Sequence, residues 1–468
     1  MSALIIGKLR RNKKLICVLL SLTVSAVLYL AQNELRIKPC RAYAEESHEI
    51  SAVIIDTPTV SSGGNYGYLI KTQTIDGKNE KIRMMLYTSY DICASPYDVV
   101  TFRTKPFIFP ADNESGLEYF RSKRIYLGAY TGSSVRVFQP DKKPLISYFP
   151  IRKAKSEKNI REFLSGDYAE FAVSILFGDK TYLSDSAKEN FRFAGLSHIM
   201  AVSGLHLSVW IMGLHLLLVR LRLDEKTCGA LCVFASLCLV CFCSFSVSVI
   251  RAAVMLSAYL IAPFFSRRGD SFNSLGLSAV LICSVNPCAV GDISFLLSFF
   301  ATLGIIVLSE YFPPVLRREE TDSALKNIGL KLLTALCVCV SACVFTAPLL
   351  LRYFSSVCIW SVISNPAVSF AVAPCVLLAG ALSVCPKINI ISHPIKYALL
   401  CLEKYIFFIT EKTASLPFAG LMCNNSVIKC VVCAFTVLGI FTLYSVKKKK
   451  ITLESAIITA ALLICVCR

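Results

Sequence analysis

Two hydropathy regimes divide the chain. Residues 47–140 alternate apolar and polar positions in short stretches, whereas long apolar runs broken by Lys/Arg clusters fill the second two-thirds. A helix needs roughly 17–25 apolar residues to cross a bilayer. Runs of that kind lie near 195–219, 228–248, 249–265, 274–290, 293–309, 330–351, 357–384, 427–446 and 451–467. A weaker segment, 396–410, either spans or lies in the interface. Residues 15–31 follow a basic stretch and read as an uncleaved anchor, although Ala42-Tyr43-Ala44 imitates a cleavage site. The early region predicts strands at 51–55, 66–72, 81–87, 98–102 and 135–138, with a helical interruption near 115–122. Asp76-Gly77 between two strand-like runs is a hairpin signal. Short strands in that number suit a small Greek-key barrel of the OB type. The expected fold is a polytopic α-helical membrane protein of about nine to eleven spans with a small all-β, OB-like extracytoplasmic domain. Its divisions are an anchor at 1–33, the barrel at 47–140, a basic amphipathic connector at 141–193 and a transmembrane domain at 194–468.

Composition agrees: 55% of residues are hydrophobic and 17% charged, which excludes an ordinary soluble enzyme. Part of the net charge of +18 is topological, because short inside loops collect Lys and Arg. With 8–14 inside, basic loops at 220–226, 267–268, 317–318 and 447–450 all fall inside by parity, and the barrel falls outside. Residues 100–161 carry further excess cations that no topology rule covers, so they face an anionic partner, the lipid surface, or simply solvent. Most of the 22 cysteines lie in apolar runs and act as small packing residues. Cys40 and Cys93, in the extramembrane part, are a candidate disulfide.

The segment 176–210 places Ser197, His198, Ser203, Gly204 and His206 where a charged stretch enters an apolar run. Polar groups at membrane depth are costly unless they face a wet or protein-lined interior. Read as one helix, the stretch is either a polar pore wall or a small-residue packing stripe. Arg251 interrupts another apolar run, and either meets an anion in a pore or marks the turn of a helical hairpin. Phe295, Ser298 and Phe299 share a helical face that suits base stacking or plain packing. Asn365-Pro366 and Pro374 interrupt their span, either as a broken helix at a transport site or as a plain kink. Asp179 and Arg192 precede the first polar span as a candidate channel mouth or as surface charges. In the barrel, Tyr119, Phe120, Arg121, Lys123, Arg124 and Tyr126 supply the aromatic-basic mixture that binds single strands.

Several of these residues fall in ordered motifs. Gly178-Asp179, Phe191-Arg192-Phe193-Ala194-Gly195-Leu196-Ser197-His198 and Ala201-Val202-Ser203-Gly204-Leu205-His206 resemble the signature of the ComEC-type competence channels. Arg251-Ala252-Ala253-Val254-Met255, Asn286-Pro287 with Ser294–Phe299 and Gly304, and Pro348-Leu349-Leu350 with Tyr353-Phe354 and Asn365-Pro366 are similar to later family blocks. Residues 119–125 resemble a feature of the family's OB-like domain. The resemblance implies a channel component that moves single-stranded transforming DNA across the bacterial cytoplasmic membrane, with the barrel outside. It implies as partners single-stranded DNA, membrane lipid, and a separate nuclease, DNA receptor and cytoplasmic ATP-driven motor. Many members also carry a metallo-β-lactamase-like domain marked by HxHxDH; these 468 residues contain no HxH. No Walker A motif, metal set or cofactor motif is present either, so the expectation is a non-enzyme without cofactors. Two other classes remain open. One is a small-solute or lipid exporter with an outer β-domain. The other is an intramembrane serine protease, suggested by Ser203 and its nearby histidine.

Overall fold

A computed structural model of the chain describes residues 27–60, 64–110, 114–132, 134–265, 269–309, 312, 324–384, 389–417 and 419–422. The expected spans at 427–446 and 451–467, and most of the anchor, lie outside the described residues.

The early region is a closed barrel. Its strands are β1 (His48–Ile54), β2 (Thr59–Val60), β3 (Tyr66–Ile75), β4 (Lys78–Asn79), β5 (Arg83–Thr88), β6 (Val99–Phe107), β7 (Leu127–Thr131) and β8 (Arg136–Phe138). They run in the order β1-β3-β5-β7-β6, and β1 pairs with β6 to close the ring. Only β5–β7 is parallel among the barrel pairs. This is the OB arrangement of five strands. Alternation explains it: Ile50, Ala52, Ile54, Tyr68, Ile70, Met84, Leu86, Val100 and Phe102 all point inward. Asp76 and Gly77 take positive φ at the β3–β4 turn, as the hairpin signal requires.

The fifth barrel strand is β7, not the expected 135–138 stretch, which is only an added edge on β6. In Leu-Gly-Ala-Tyr-Thr four of five positions are buried, so the period-two signal is missing.

Helices build the rest: α1 (27–43), α2 (Glu114–Ser122), α3 (Tyr148–Phe163), α4 (Gly166–Phe177), α5 (Asp185–Phe193), α6 (Gly204–Arg220), α7 (Glu225–Phe242), α8 (Val247–Ile261), α9 (Ser271–Val285), α10 (Ile293–Leu308), α11 (Ala324–Phe354), α12 (Ser361–Val384) and α13 (Asn389–Ala414). Among the described residues α7, α12 and residues 329–354 of α11 are long and apolar enough to cross a membrane, with α6, α8, α9 and α10 shorter. Large apolar side chains such as Phe234, Leu237, Val280, Leu281 and Phe370 stay exposed on their outer faces, as lipid contact requires.

Three sequence expectations change here. The connector is not wholly peripheral: α4 buries Phe171, Ala172, Val173 and Ile175 in a core shared with α12 and α13. The 195–219 run is not one helix. It begins as an irregular turn, with Gly195 at φ +72 pressed against Ser361, and becomes helical only at Gly204. The small-residue stripe of a single helix therefore does not exist. Finally, α12 continues unbroken through Pro366 and Pro374, because each proline forfeits one backbone bond while the helix gains a deeply buried face.

Barrel and bundle meet along two seams. At one, Asp56 binds the buried Lys153 (3.0 Å) and accepts from the Ser244 hydroxyl (2.5 Å) in the α7–α8 turn. At the other, Asn286 Nδ2 donates to the Ser122 carbonyl (2.5 Å) and Lys123 pairs with Asp292 (3.3 Å). Both bundle turns thus lie on the barrel's side, the arrangement that parity of the basic loops demands.

Candidate functional site

Helix α6 holds 17 residues, about 25 Å at 1.5 Å per residue, short of a bilayer's roughly 30 Å apolar core. Its N-terminus starts inside the bundle. A Cβ on Gly204 would lie 3.0 Å from the Ala252 Cβ and 3.5 Å from Arg251 Nη2, so glycine permits α6 to abut α8 there. His206 is buried, and its Nδ1 accepts from the Ser203 amide (3.2 Å). That bond satisfies one of the donors that a helix start leaves free. It also disfavours the protease reading, because the ring addresses the serine's backbone and not its hydroxyl.

Arg251 is 7% exposed, in the second turn of α8. Hairpin-turn placement is ruled out, since the turn lies at Cys243–Ser246, where Ser244 and Phe245 adopt positive φ. Its Nε donates to Ser298 Oγ (3.1 Å) and Nη1 to Thr302 Oγ1 (2.6 Å), both on α10. Among the described residues no carboxylate acts on it. Nη2 carries no hydrogen bond among the described residues and faces Gly204. A buried cation without a counter-ion costs several kcal/mol, and here it confronts the positive end of a helix. The combination is a ready anion site.

The turn ahead of α6 adds to it. His198 is exposed, hydrogen-bonded to the Gly195 backbone and within the field of Lys180. Burial, then the neighbouring Lys188 ammonium, lowers the pKa of Lys180. Ser197 is half-buried beside it, and Ser364 Oγ ties Ala194 to α12 (2.8 Å). Asn365 Oδ1, on that helix, is buried with no partner among the described residues; Pro366 is half-buried. Ser203, Gly204, Arg251 and Ser298 are thus brought together, flanked by the His198 turn. Thr302 completes the group, Lys180 acts on the His198 turn beside it, and both escaped sequence reading. Thr302 had a weak signal, a hydroxyl one turn after Ser298; Lys180 had none.

Other expected residues stand elsewhere. Phe295 is packed in a core with Leu296, Phe300 and Phe345, and Phe299 lies at its edge, so packing explains both. Asp179 accepts from the Thr181 amide and hydroxyl (2.9 and 2.5 Å), while Arg192 is exposed over the Phe193 ring. The basic barrel stretch is largely committed to the seam. Lys123 pairs with Asp292, Arg124 donates to the Val285 carbonyl, and the Tyr126 hydroxyl accepts from Gln32 (3.2 Å). Tyr119 stays exposed, Arg121 half-buried, and Phe120 stacks on Phe109. The docking of α2 on the Pro287–Gly291 turn accounts for the change. The candidate disulfide is not formed: Cys40 donates to the Arg36 carbonyl (2.9 Å) and Cys93 is a free, exposed thiol.

The sequence model of the Competence protein family matches residues 175–448, which include the α6 start, Arg251, Ser298 and Thr302. The chain belongs to this family. Among curated relatives, ComE operon protein 3 of Bacillus subtilis (strain 168) is 27% identical over 152 residues, 32% of this chain and 20% of that protein. An uncharacterized protein of Aquifex aeolicus (strain VF5) is 29% identical over 269 residues, 55% of this chain and 59% of that protein. The chain therefore matches less than two-thirds of either relative's length. No solved structure matches significantly. This competence-family chain is a helical membrane protein with an OB-like barrel, and the family's region holds Arg251, its two hydroxyl partners and the α6 start.

Proposed function

We propose that the protein is a DNA-uptake component of natural competence that passes single-stranded DNA across the bacterial cytoplasmic membrane, the barrel lying outside. One observation carries the reading: a buried arginine, held by two hydroxyls and with no carboxylate on it among the described residues, faces a helix N-terminus inside a membrane bundle. Such a group attracts phosphodiesters and releases them, since it offers donors without locking them in a salt bridge. Ser203, the His198 turn and Lys180 extend the polar surface along the strand's route, with Asp179 and Arg192 near its outer end. No bond is made or broken in this chain by that passage, and a nuclease, a DNA receptor and an ATP-driven motor are partners in the same reading.

Family membership favours this over a solute or lipid exporter. In cells carrying the gene, Arg251→Gln is expected to cut internalised labelled DNA at least tenfold, about the value of one charge-assisted hydrogen bond, while surface-bound DNA and protein level persist. Internalisation at the wild-type level would end the proposal.

A further inference from the structure

The barrel's outer face carries a row of rings that no sequence motif announces. Tyr87 on β5 stacks on Tyr130 of β7 (centroids 5.1 Å, 28° between planes), and Tyr130 on Phe107 of β6 (5.2 Å, 14°). Phe107 meets Phe109 edge-on (5.6 Å), and Phe109 stacks on Phe120 of α2 (3.9 Å, 11°). The row thus descends from the barrel wall to the helix seated on the α9–α10 turn. From there α10 leads to Ser298 and Thr302, the holders of Arg251. Gly128 makes the row possible, because a Cβ there would lie 2.4 Å from the Phe107 ring.

Phe109 is buried, but Tyr87 and Phe107 are half-buried and the ring between them is open to solvent. Tyr130 is 61% exposed, and Lys105, its directly paired neighbour on β6, is exposed as well. Outward positions of the three strands also include Arg83 and Arg103, and none is acidic. An aromatic row beside cations is what a flexible polyanion with planar side groups requires, since bases stack on rings while phosphates meet the ammonium and guanidinium groups.

We propose that Tyr87, Tyr130 and Phe107, with Lys105, form a base-stacking track that receives a single-stranded polynucleotide and hands it to the bundle. The track rests on the transport reading but can fail separately from it. It differs from the Tyr119–Tyr126 stretch, much of which is spent on the seam.

The test uses the purified full chain and two probes, an oligothymidylate and an abasic deoxyribose-phosphate strand of equal length. The wild type is expected to bind the oligothymidylate about tenfold tighter, the order of one stacked base. Tyr130→Ala should abolish that preference without weakening abasic binding, and Tyr130→Phe should restore it. Lys105→Gln should weaken both probes alike. An unchanged preference in Tyr130→Ala overturns the track alone. If in the chain reconstituted into vesicles a lipid-borne quencher reaches the Tyr87–Tyr130 rings and the oligothymidylate does not, the rings are a membrane-interface belt and the track is again overturned. Binding of neither probe by the wild type overturns the track and the transport reading together.

Discussion

Arg251 shows how one side chain can be costly for stability and retained for use. Among the described residues its three polar contacts are two hydroxyls and the Met255 sulfur (3.5 Å), none charged. Replacing even a buried ion pair by apolar residues of similar volume is often neutral or stabilising, by about 1–4 kcal/mol, and Arg251 has no ionic partner among the described residues to offset its desolvation. Arg251→Met should therefore raise Tm in detergent while abolishing uptake, and a lowered Tm would mean that the guanidinium is structural. At this scale much of the site was legible. Polar residues in an apolar run are conspicuous, and Ser203, Gly204, Arg251 and Ser298 stood out for that reason. Thr302 did not, because a threonine in a membrane helix ordinarily bonds its own backbone, as Thr302 also does to Ser298 O (2.9 Å). The ring row was invisible because its members come from β5, β6, β7, two loops' worth of chain apart, and meet only through sheet register.

Among the elements, α3 links barrel and bundle through charge. Glu157 is 3% exposed, its Oε1 lacks a partner among the described residues, and its Oε2 lies 3.7 Å from Arg161. Burial and the nearby Asp179 and Asp56 carboxylates push its pKa up to about 7, against the opposing pull of Lys153 and Arg161. The folded state thus holds this proton over a range where the unfolded chain, near 4.5, has lost it. Stability from this group is complete below about pH 4.5 and drains away as pH rises through 7, by about 3 kcal/mol in all. Unfolding followed across that range should show the decline in the wild type and a flatter course in Glu157→Gln. An identical slope in both would exclude Glu157 as the source. The connector's role was hidden in sequence because a Lys/Glu-rich helix reads as surface, whereas Lys153, Ser156, Glu157 and Ile160 are buried. The strands, by contrast, were legible wherever one face met the core and the other met water. Only β7, buried on nearly every position, and the 194–203 turn, apolar but held open by Gly195 and Ser203, defied periodicity.

For the molecule as a whole, the two seams fix the barrel above the bundle at the α7–α8 and α9–α10 turns. A strand gathered on the barrel would meet α10 first and then the Arg251 group about 8 to 14 Å further along, at 1.5 Å per residue. Hydropathy and charge parity gave that stacking in outline; the seams themselves depend on single side chains such as Asp56 and Asn286. The most direct measurement is photo-crosslinking of a thiothymidine-bearing single strand arrested during uptake, with the attached peptides mapped. The account predicts adducts in 194–206 and on α8 and α10 around Arg251, Ser298 and Thr302, all lost when duplex DNA replaces the single strand. Adducts confined to the barrel, or to the lipid-facing sides of the helices, would contradict it.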